Sequence, residues 1–331
     1  MFRAFSDEQT RTIVNLEQRY EVWMEACQQL AAMPYDLRIK TSKGRKYLYE
    51  ITGRNGNGVS LGALDDDNLK RFEDFRNLKA GLKSRIETSV LSVDESCAMY
   101  RALRLPLLAS QAGDILRRAD ERGMLGSNLL VVGTNAIPAY QLESNGFLVG
   151  IPDETDDFDL AWAANKRPEE GAKPVWSLLK AVDSTYTMNT ERQFQARNAK
   201  AYEVELLVAP SKLDMLDRLD VPKPVPLPEQ EWLLLGRPLS RVVVCRDGKP
   251  ARLYVPDPRY FALHKLWMSR QAKRNPNKRG KDQKQGHLLL DTVRDAMPHY
   301  PLNEEFGASL PDELMTDFEK WCRGSGRVSV A

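Results

Sequence analysis

The chain has 331 residues, with 48 Lys and Arg against 46 Asp and Glu, a formal net charge of +2 and 42% apolar residues. Such proportions fit a soluble protein of about two domains and exclude collagen-like, largely disordered and integral-membrane classes. The longest apolar runs, near 129–132 and 241–245, fall far short of a span of about 20 residues; no apolar leader opens the sequence, and Cys27, Cys97, Cys245 and Cys322 stand singly, so a reduced, cytoplasmic protein without disulfides or a cysteine zinc site is expected.

Ile13, Leu16, Tyr20, Trp23, Met24, Cys27, Leu30 and Met33 recur at steps of three and four, which predicts a long amphipathic helix over 7–33. After Pro34, two β-favouring runs, Tyr47–Thr52 and Val59–Leu61, flank an Asn- and Gly-rich stretch and predict a hairpin. Gly53, Gly56 and Gly58 lack a following GK[ST] and read as turn residues rather than a phosphate loop. A charged stretch over 65–93, with Leu69, Phe72, Phe75, Leu78 and Leu82 on one side, predicts a second long helix, and 109–122 a third, stopped by Gly123.

The texture then changes. NLLVV is the continuous apolar run of a buried strand, ending at Gly133-Thr134 and leading into a helix. Strands are predicted at Asp157–Trp162 and Ala201–Val208, with a helix at Val175–Val182 between them, an α/β (α+β) pattern with a sheet core. VPKPVPLP, at 221–228, disfavours helix and central strand and reads as a stiff connection or edge segment. SRVVVC and ARLYV flank Asp247-Gly248 as a hairpin; an apolar helix with Phe261, Leu263, Leu266, Trp267 and Met268 follows, and the terminal GSGRVSVA is expected to fray.

The chemistry is concentrated in two strands. Residues i and i+2 of a strand share a face, so Asp157 and Asp159 present two carboxylates side by side. Like charges that close repel, and a bound divalent cation resolves the conflict; Mg2+ (or Mn2+) suits hard oxygen ligands and completes its shell with substrate phosphate. On the later strand Glu203 and Glu205 again share a face, and either completes the acidic triad that phosphoryl-transfer enzymes use.

This arrangement resembles the nucleotidyltransferase superfamily of the DNA polymerase beta type: Gly-Ser or Gly-Thr after the first core strand, an acidic pair on the second, and a third acid on a later one. It is more closely similar to a bacterial nucleotidyltransferase-like family, through VVGTNAIPAY (131–140), TDDFDL (155–160), VELLVAP (204–210), VPDPRYFALHKL (255–266) and KRGKDQ (278–283). The resemblance implies a catalytic core over 109–220, between an N-terminal helical region with a hairpin (1–108) and a C-terminal hairpin-plus-helix region (221–331). It implies that Gly133 and Thr134 approach the triphosphate at a helix N-terminus. Asp157 and Asp159 would bind metal, and Glu205 would bind a second metal or accept the acceptor's proton. Lys265 and Lys281 would bind nucleotide. Glu stands where the family more often has Asp, and the longer gap between Gly133 and Asp157 points to an inserted loop, SNGFLVGIPDE, that shapes the pocket.

The implied activity is transfer of a nucleoside monophosphate from an NTP such as ATP to a hydroxyl of RNA, a tRNA end first, in the manner of a toxin with an antitoxin partner. Transfer to a protein side chain or small molecule, and a catalytically silent nucleotide- or nucleic-acid-binding module, stand as alternatives. The run 270–284 carries seven basic residues and one acidic one and offers a phosphate-binding strip. Arg38, Lys40, Lys43, Arg45 and Lys46 interleave with Tyr47 and Tyr49 but read as a solvated surface. His264 reads as a packed residue on an apolar helix, and His287 and His299 have no partner at metal-ligand spacing.

Overall fold

A computed structural model describes residues 1–152, 157–164, 175–216 and 221–324. Thr155 and Asp156 of TDDFDL, the last two residues of the expected loop at 144–154, and the terminal 325–331 lie outside the described residues. The fold is α+β. In chain order it comprises β1 (Phe2–Ala4), α1 (Asp7–Ala32), β2 (Asp36–Ser42), β3 (Arg45–Ile51), β4 (Gly58–Ala63), α2 (Asp66–Ala102), β5 (Leu107–Leu108) and α3 (Ser110–Glu121). The site-bearing segment follows: β6 (Leu129–Val132), α4 (Ile137–Glu143), β7 (Gly146–Leu148), β8 (Asp157–Trp162), α5 (Val175–Val182), β9 (Thr187–Met188), β10 (Gln195–Arg197), β11 (Glu203–Val208) and β12 (Val225–Pro226). The chain closes with β13 (Leu239–Cys245), β14 (Pro250–Val255), α6 (Pro258–Arg270), α7 (Pro276–Ala296), α8 (Glu304–Ala308) and α9 (Asp312–Gly324).

α1 starts at a capping box, in which the Ser6 hydroxyl accepts from the Gln9 amide and the Gln9 side chain returns to the Ser6 N–H, and it buries Ile13, Leu16, Tyr20 and Met24. α2 runs on to Ala102, beyond the predicted end near 93, because Val93, Cys97 and Tyr100 continue an apolar face into the main core. The predicted hairpin is two strands of a three-stranded antiparallel sheet, β2-β3-β4. β2 (DLRIKTS) is half charged, and its one fully buried side chain, Leu37, joins Leu48 and Phe75 in a small separate cluster.

The central sheet runs β6-β8-β11-β10-β9, with β12 paired to β11. β8 and β11 are parallel neighbours, and both show the same burial pattern, alternating at the start and continuous at the end. Their first halves therefore open one face, and their second halves, LAW and LLV, are buried on both. The proline-rich segment contributes β12, which lies along the end of β11 as an edge segment. Tyr140 of α4 donates to the Pro256 carbonyl and packs on Phe261, with ring centroids 5.0 Å apart, so the C-terminal helices are fastened beside the sheet. One continuous core runs from Phe5 to Trp321. No helix among the described residues is long and apolar enough to cross a membrane.

Candidate functional site

The parallel register of β8 and β11 sets Asp157 beside Glu203 and Asp159 beside Glu205, while the antiparallel register of β6 sets Val132 beside Asp159. Parallel neighbours project to the same face, so the three strands bring the Gly133-Thr134 turn, both aspartates and the glutamates to one edge of the sheet. Gly133 has φ of +70°, a left-handed conformation in which the lack of a side chain is doubly required, because a Cβ there would overlap the Asp159 carboxylate. Asn135 Nδ2 donates to the Asp157 carbonyl at 2.9 Å and ties the turn to the start of β8. The turn is one stretch of 3-10 helix over Gly133–Ala136, and the α-helix it enters, α4, has only 7 residues, shorter than the expected helix N-terminus implied.

A cleft at this edge is lined by Gly133, Thr134, Asp157, Asp159, Glu205, Lys265 and Lys281, all seven of the sequence-derived site residues. Of the two glutamates, Glu205 lines the cleft and Glu203 pairs with Arg197, while Gln195 Nε2 donates to both, at 3.1 Å to Glu205 and 2.8 Å to Glu203. Burial pushes the Asp159 carboxyl above the ordinary carboxylate range and the Asp157 charge adds to it, against the pull of Lys265, Lys278 and Arg274. Burial raises Glu205 as well, with the charges of Asp159 and Asp157 behind it. Three carboxylates thus share a face at an electrostatic cost, relieved in part by the Lys278 ammonium, 3.1 Å from Asp157 Oδ2.

The opposite wall comes from α6 and α7. Gly286 lets these helices approach closely: a Cβ there would stand 2.7 Å from Leu266 Cδ2 and 2.8 Å from the Ala262 carbonyl. One consequence is that Asp282, which is buried, sits between Lys265 Nζ at 3.1 Å and Arg274 Nε at 2.7 Å. Burial works against the Asp282 charge, and the two cations outweigh it and hold the carboxyl below its usual range. Lys281 is pushed down by burial and by the Lys265 charge. Buried Gln285 reaches from α7 to Thr134 Oγ1 at 3.4 Å and to the Pro152 carbonyl.

The basic run therefore divides. Arg274, Lys278 and Lys281 line the cleft, while Arg270 pairs with Asp317 and Arg279 donates to the carbonyls of Ala272 and Arg274. In the described part of the expected pocket-shaping loop, β7 pairs with β1 and residues 144–152 do not line the cleft, while the Pro152 carbonyl borders it through the Gln285 amide that also reaches Thr134. Sequence reasoning missed Asp282 as an anchor, Gln285 and the cleft positions of His264 and Gln230. His264 is buried as expected, but it lines this cleft rather than only the core.

Among the described residues, no three acidic, His or Cys side chains are grouped closely enough to cage a metal ion alone. Mg2+ does not require such a cage, since it keeps several waters and binds through one or two carboxylates plus substrate phosphates. The oxygen-only set of Asp157, Asp159 and Glu205 suits that chemistry.

Comparison with known proteins returns a family model described as Nucleotidyltransferase, which matches residues 110–309, more than half of the chain. The match takes in β6, β8, β11 and the cleft-lining parts of α6 and α7. No curated protein and no solved structure matches the chain. The protein belongs to this nucleotidyltransferase family.

Proposed function

We propose that this nucleotidyltransferase-family protein transfers a nucleoside monophosphate from an NTP to a hydroxyl acceptor and releases pyrophosphate. The observation that carries the reading is the shared edge of Asp157, Asp159 and Glu205 beside the Gly133-Thr134 turn, in one cleft with Lys265, Arg274, Lys278 and Lys281. Family membership supports the reaction class.

In this reading Asp157 and Asp159, with Glu205, hold Mg2+, which when bound supplies charge neutralisation at the phosphates and an oriented site for the reacting oxygens. The lysines and Arg274 balance the triphosphate charge, and Gly133 admits the phosphates against the backbone. Glu205 takes the proton of the acceptor hydroxyl as its oxygen attacks the α-phosphorus and the bond to the β-phosphate oxygen breaks. Thr134 orients a phosphate oxygen, with its hydroxyl fixed by Gln285.

For the acceptor we propose an RNA hydroxyl, a tRNA end in the first place. Lys273 and Lys284 on the exposed side of the basic run remain available to a polyanion beside the cleft. Pyrophosphate release tests the reaction: with Mg2+, NTP and total RNA, release is expected from the wild type and a loss of at least about a hundredfold from Glu205→Gln. Equal release from both proteins contradicts the role of Glu205.

A further inference from the structure

The basic and aromatic residues of the N-terminal strands, which in sequence read as a solvated surface, converge on one face of the β2-β3-β4 sheet. The antiparallel register sets Arg38 opposite Tyr49, Lys40 opposite Tyr47 and Ser42 opposite Arg45. Directly opposed residues of antiparallel strands project to the same side, and a period of two sends Leu37, Ile39, Leu48 and Glu50 to the other. That other side is occupied: Leu37 and Leu48 cluster with Phe75 of α2, and Ile39 and Phe72 pack against them. The acidic residues Asp65, Asp66 and Asp67 cap and open α2, the helix of that covered side.

The face away from α2 is open toward the β2–β3 turn, while Ile51 at its other end is buried. Tyr47 and Tyr49 are half-buried, about 7 Å apart along one strand, and β4 sets only Ala63 and Ser60 opposite them, side chains too small to cover the rings. Arg38, Lys40 and Arg45 are exposed around them, and the Lys40 ammonium stands 4.9 Å from the centre of the Tyr49 ring. Asp36, the one acidic residue of the three strands on this side, pairs with Arg38 at 3.0 Å. Between 36 and 63 stand six basic residues against two acidic ones, so this lobe alone carries more positive charge than the whole chain, at +2. The lobe also stands apart: about 27 Å of helix separates Phe75, in its small cluster, from Val93, where α2 joins the main core. A mononucleotide held in the cleft makes no use of such a platform. A polymer with flat bases and a regular negative charge complements it, bases on the rings and phosphates on the cations. The strand must be unpaired, because a duplex keeps its bases stacked inside.

We propose that this face docks a single-stranded segment of the acceptor RNA at a distance from its reacting end. The proposal rests on the RNA-acceptor reading given above, and it gives the N-terminal lobe the task of holding the RNA while the cleft carries out the transfer.

The test is equilibrium binding to the full chain, over a series of salt concentrations, of a labelled single-stranded RNA of about 12 nucleotides and mixed sequence, of its duplex, and of polyglutamate. It compares the wild type with the double variant Lys40→Gln, Arg45→Gln, with Tyr47→Leu, and with a control, Lys70→Gln, Arg71→Gln, which removes two exposed charges from α2. Unchanged thermal melts report that each variant is folded. The single strand is expected to bind tighter than the duplex or polyglutamate. Neutralising Lys40 and Arg45 is expected to weaken it about tenfold and to flatten the slope of log affinity on log salt by about 1.4, for two phosphate contacts at about 0.7 each. Tyr47→Leu is expected to weaken it about tenfold at unchanged slope, and the control to stay within about threefold of the wild type. Equal losses in the charge variant and the control, no loss in Tyr47→Leu, or duplex or polyglutamate held as tightly as the single strand overturns the docking face. Label transferred to RNA by all four proteins with the same dependence on RNA concentration overturns the face while the transfer reading stands. Binding as expected with no transfer to any RNA supports the face and overturns the reading of RNA as acceptor.

Discussion

Gly133 and Asp159 occupy each other's space: the backbone of the turn passes so close to the carboxylate that only a residue without a side chain fits. The contact joins the two motifs, since the end of β6 and the acidic pair of β8 are adjacent through the antiparallel register that sets Val132 beside Asp159. A glycine that looks in sequence like a means of admitting phosphate is also what leaves room for a carboxylate.

Gly133→Ala therefore meets two penalties, a left-handed backbone worth about 1–2 kcal/mol and displacement of Asp159. A loss of about 2 kcal/mol in chemical denaturation is expected, with transfer reduced at least about tenfold. An unchanged midpoint with unchanged transfer would show that Asp159 does not need its present position.

The raised proton affinities of Asp159 and Glu205 make this edge unfavourable to the fold by itself. Both groups hold a proton to higher pH folded than unfolded, so their ionisation weakens the fold as pH rises from the ordinary carboxylate range through their raised values. Asp159→Asn is expected to stabilise the protein by about 1 kcal/mol at neutral pH while abolishing transfer. Thermal melts of both proteins between pH 4 and 8 check it, with the gap widening toward the higher pH, as about one group's titration requires.

Lys265 and Asp282 are nearly inaccessible, at 7% and 2% side-chain exposure, and the carboxylate also holds Arg274. Removing one partner of a buried pair strands the other, at about 3–5 kcal/mol. Lys265→Met is expected to fall in that range by denaturation, and the double variant Lys265→Met, Asp282→Leu to recover part of the loss. Without recovery, the pair would not be what stabilises the α6–α7 wall.

Lys278 and Asp157 contrast with that pair, at 50% and 31% exposure. A surface pair of this kind contributes about 0–1 kcal/mol. Lys278→Ala is expected to leave stability within that range, to tighten Mg2+ binding in the absence of nucleotide, since the ammonium no longer competes for Asp157 Oδ2, and to weaken NTP binding. Calorimetric titration of Mg2+ and then NTP reads both effects; weaker Mg2+ binding in the variant would contradict the competition.

The site-bearing strands were legible because their pattern is local: DFDL and EVELLV alternate acid and apolar residues, and a period of two assigns the acids to one face without knowledge of the partner strand. Glu203 and Glu205 each have an aspartate as register partner, and it is the pairing of Glu203 with Arg197 that sets the two apart, a contact for which the sequence offers no local sign. β1, β9 and β10, two or three residues each, were missed, since pairing rather than composition makes them strands. β2 was hidden by its charges. The anchor at Asp282 depends on a close helix approach at Gly286, and the cleft positions of His264 and Gln230 arise between elements far apart in sequence. In a single helix pattern a histidine among leucines looks the same whether it faces a core or a cleft.

The central claim is nucleotidyl transfer through the acidic edge, and the most direct measurement is incubation of the purified protein with each α-labelled NTP, Mg2+ and total bacterial RNA, beside the double variant Asp157→Ala, Asp159→Ala. The account predicts label in RNA with the wild type and none with the variant. Label in the variant as strong as in the wild type, or no label in RNA, protein or small molecules with any nucleotide and added cell lysate, would contradict it.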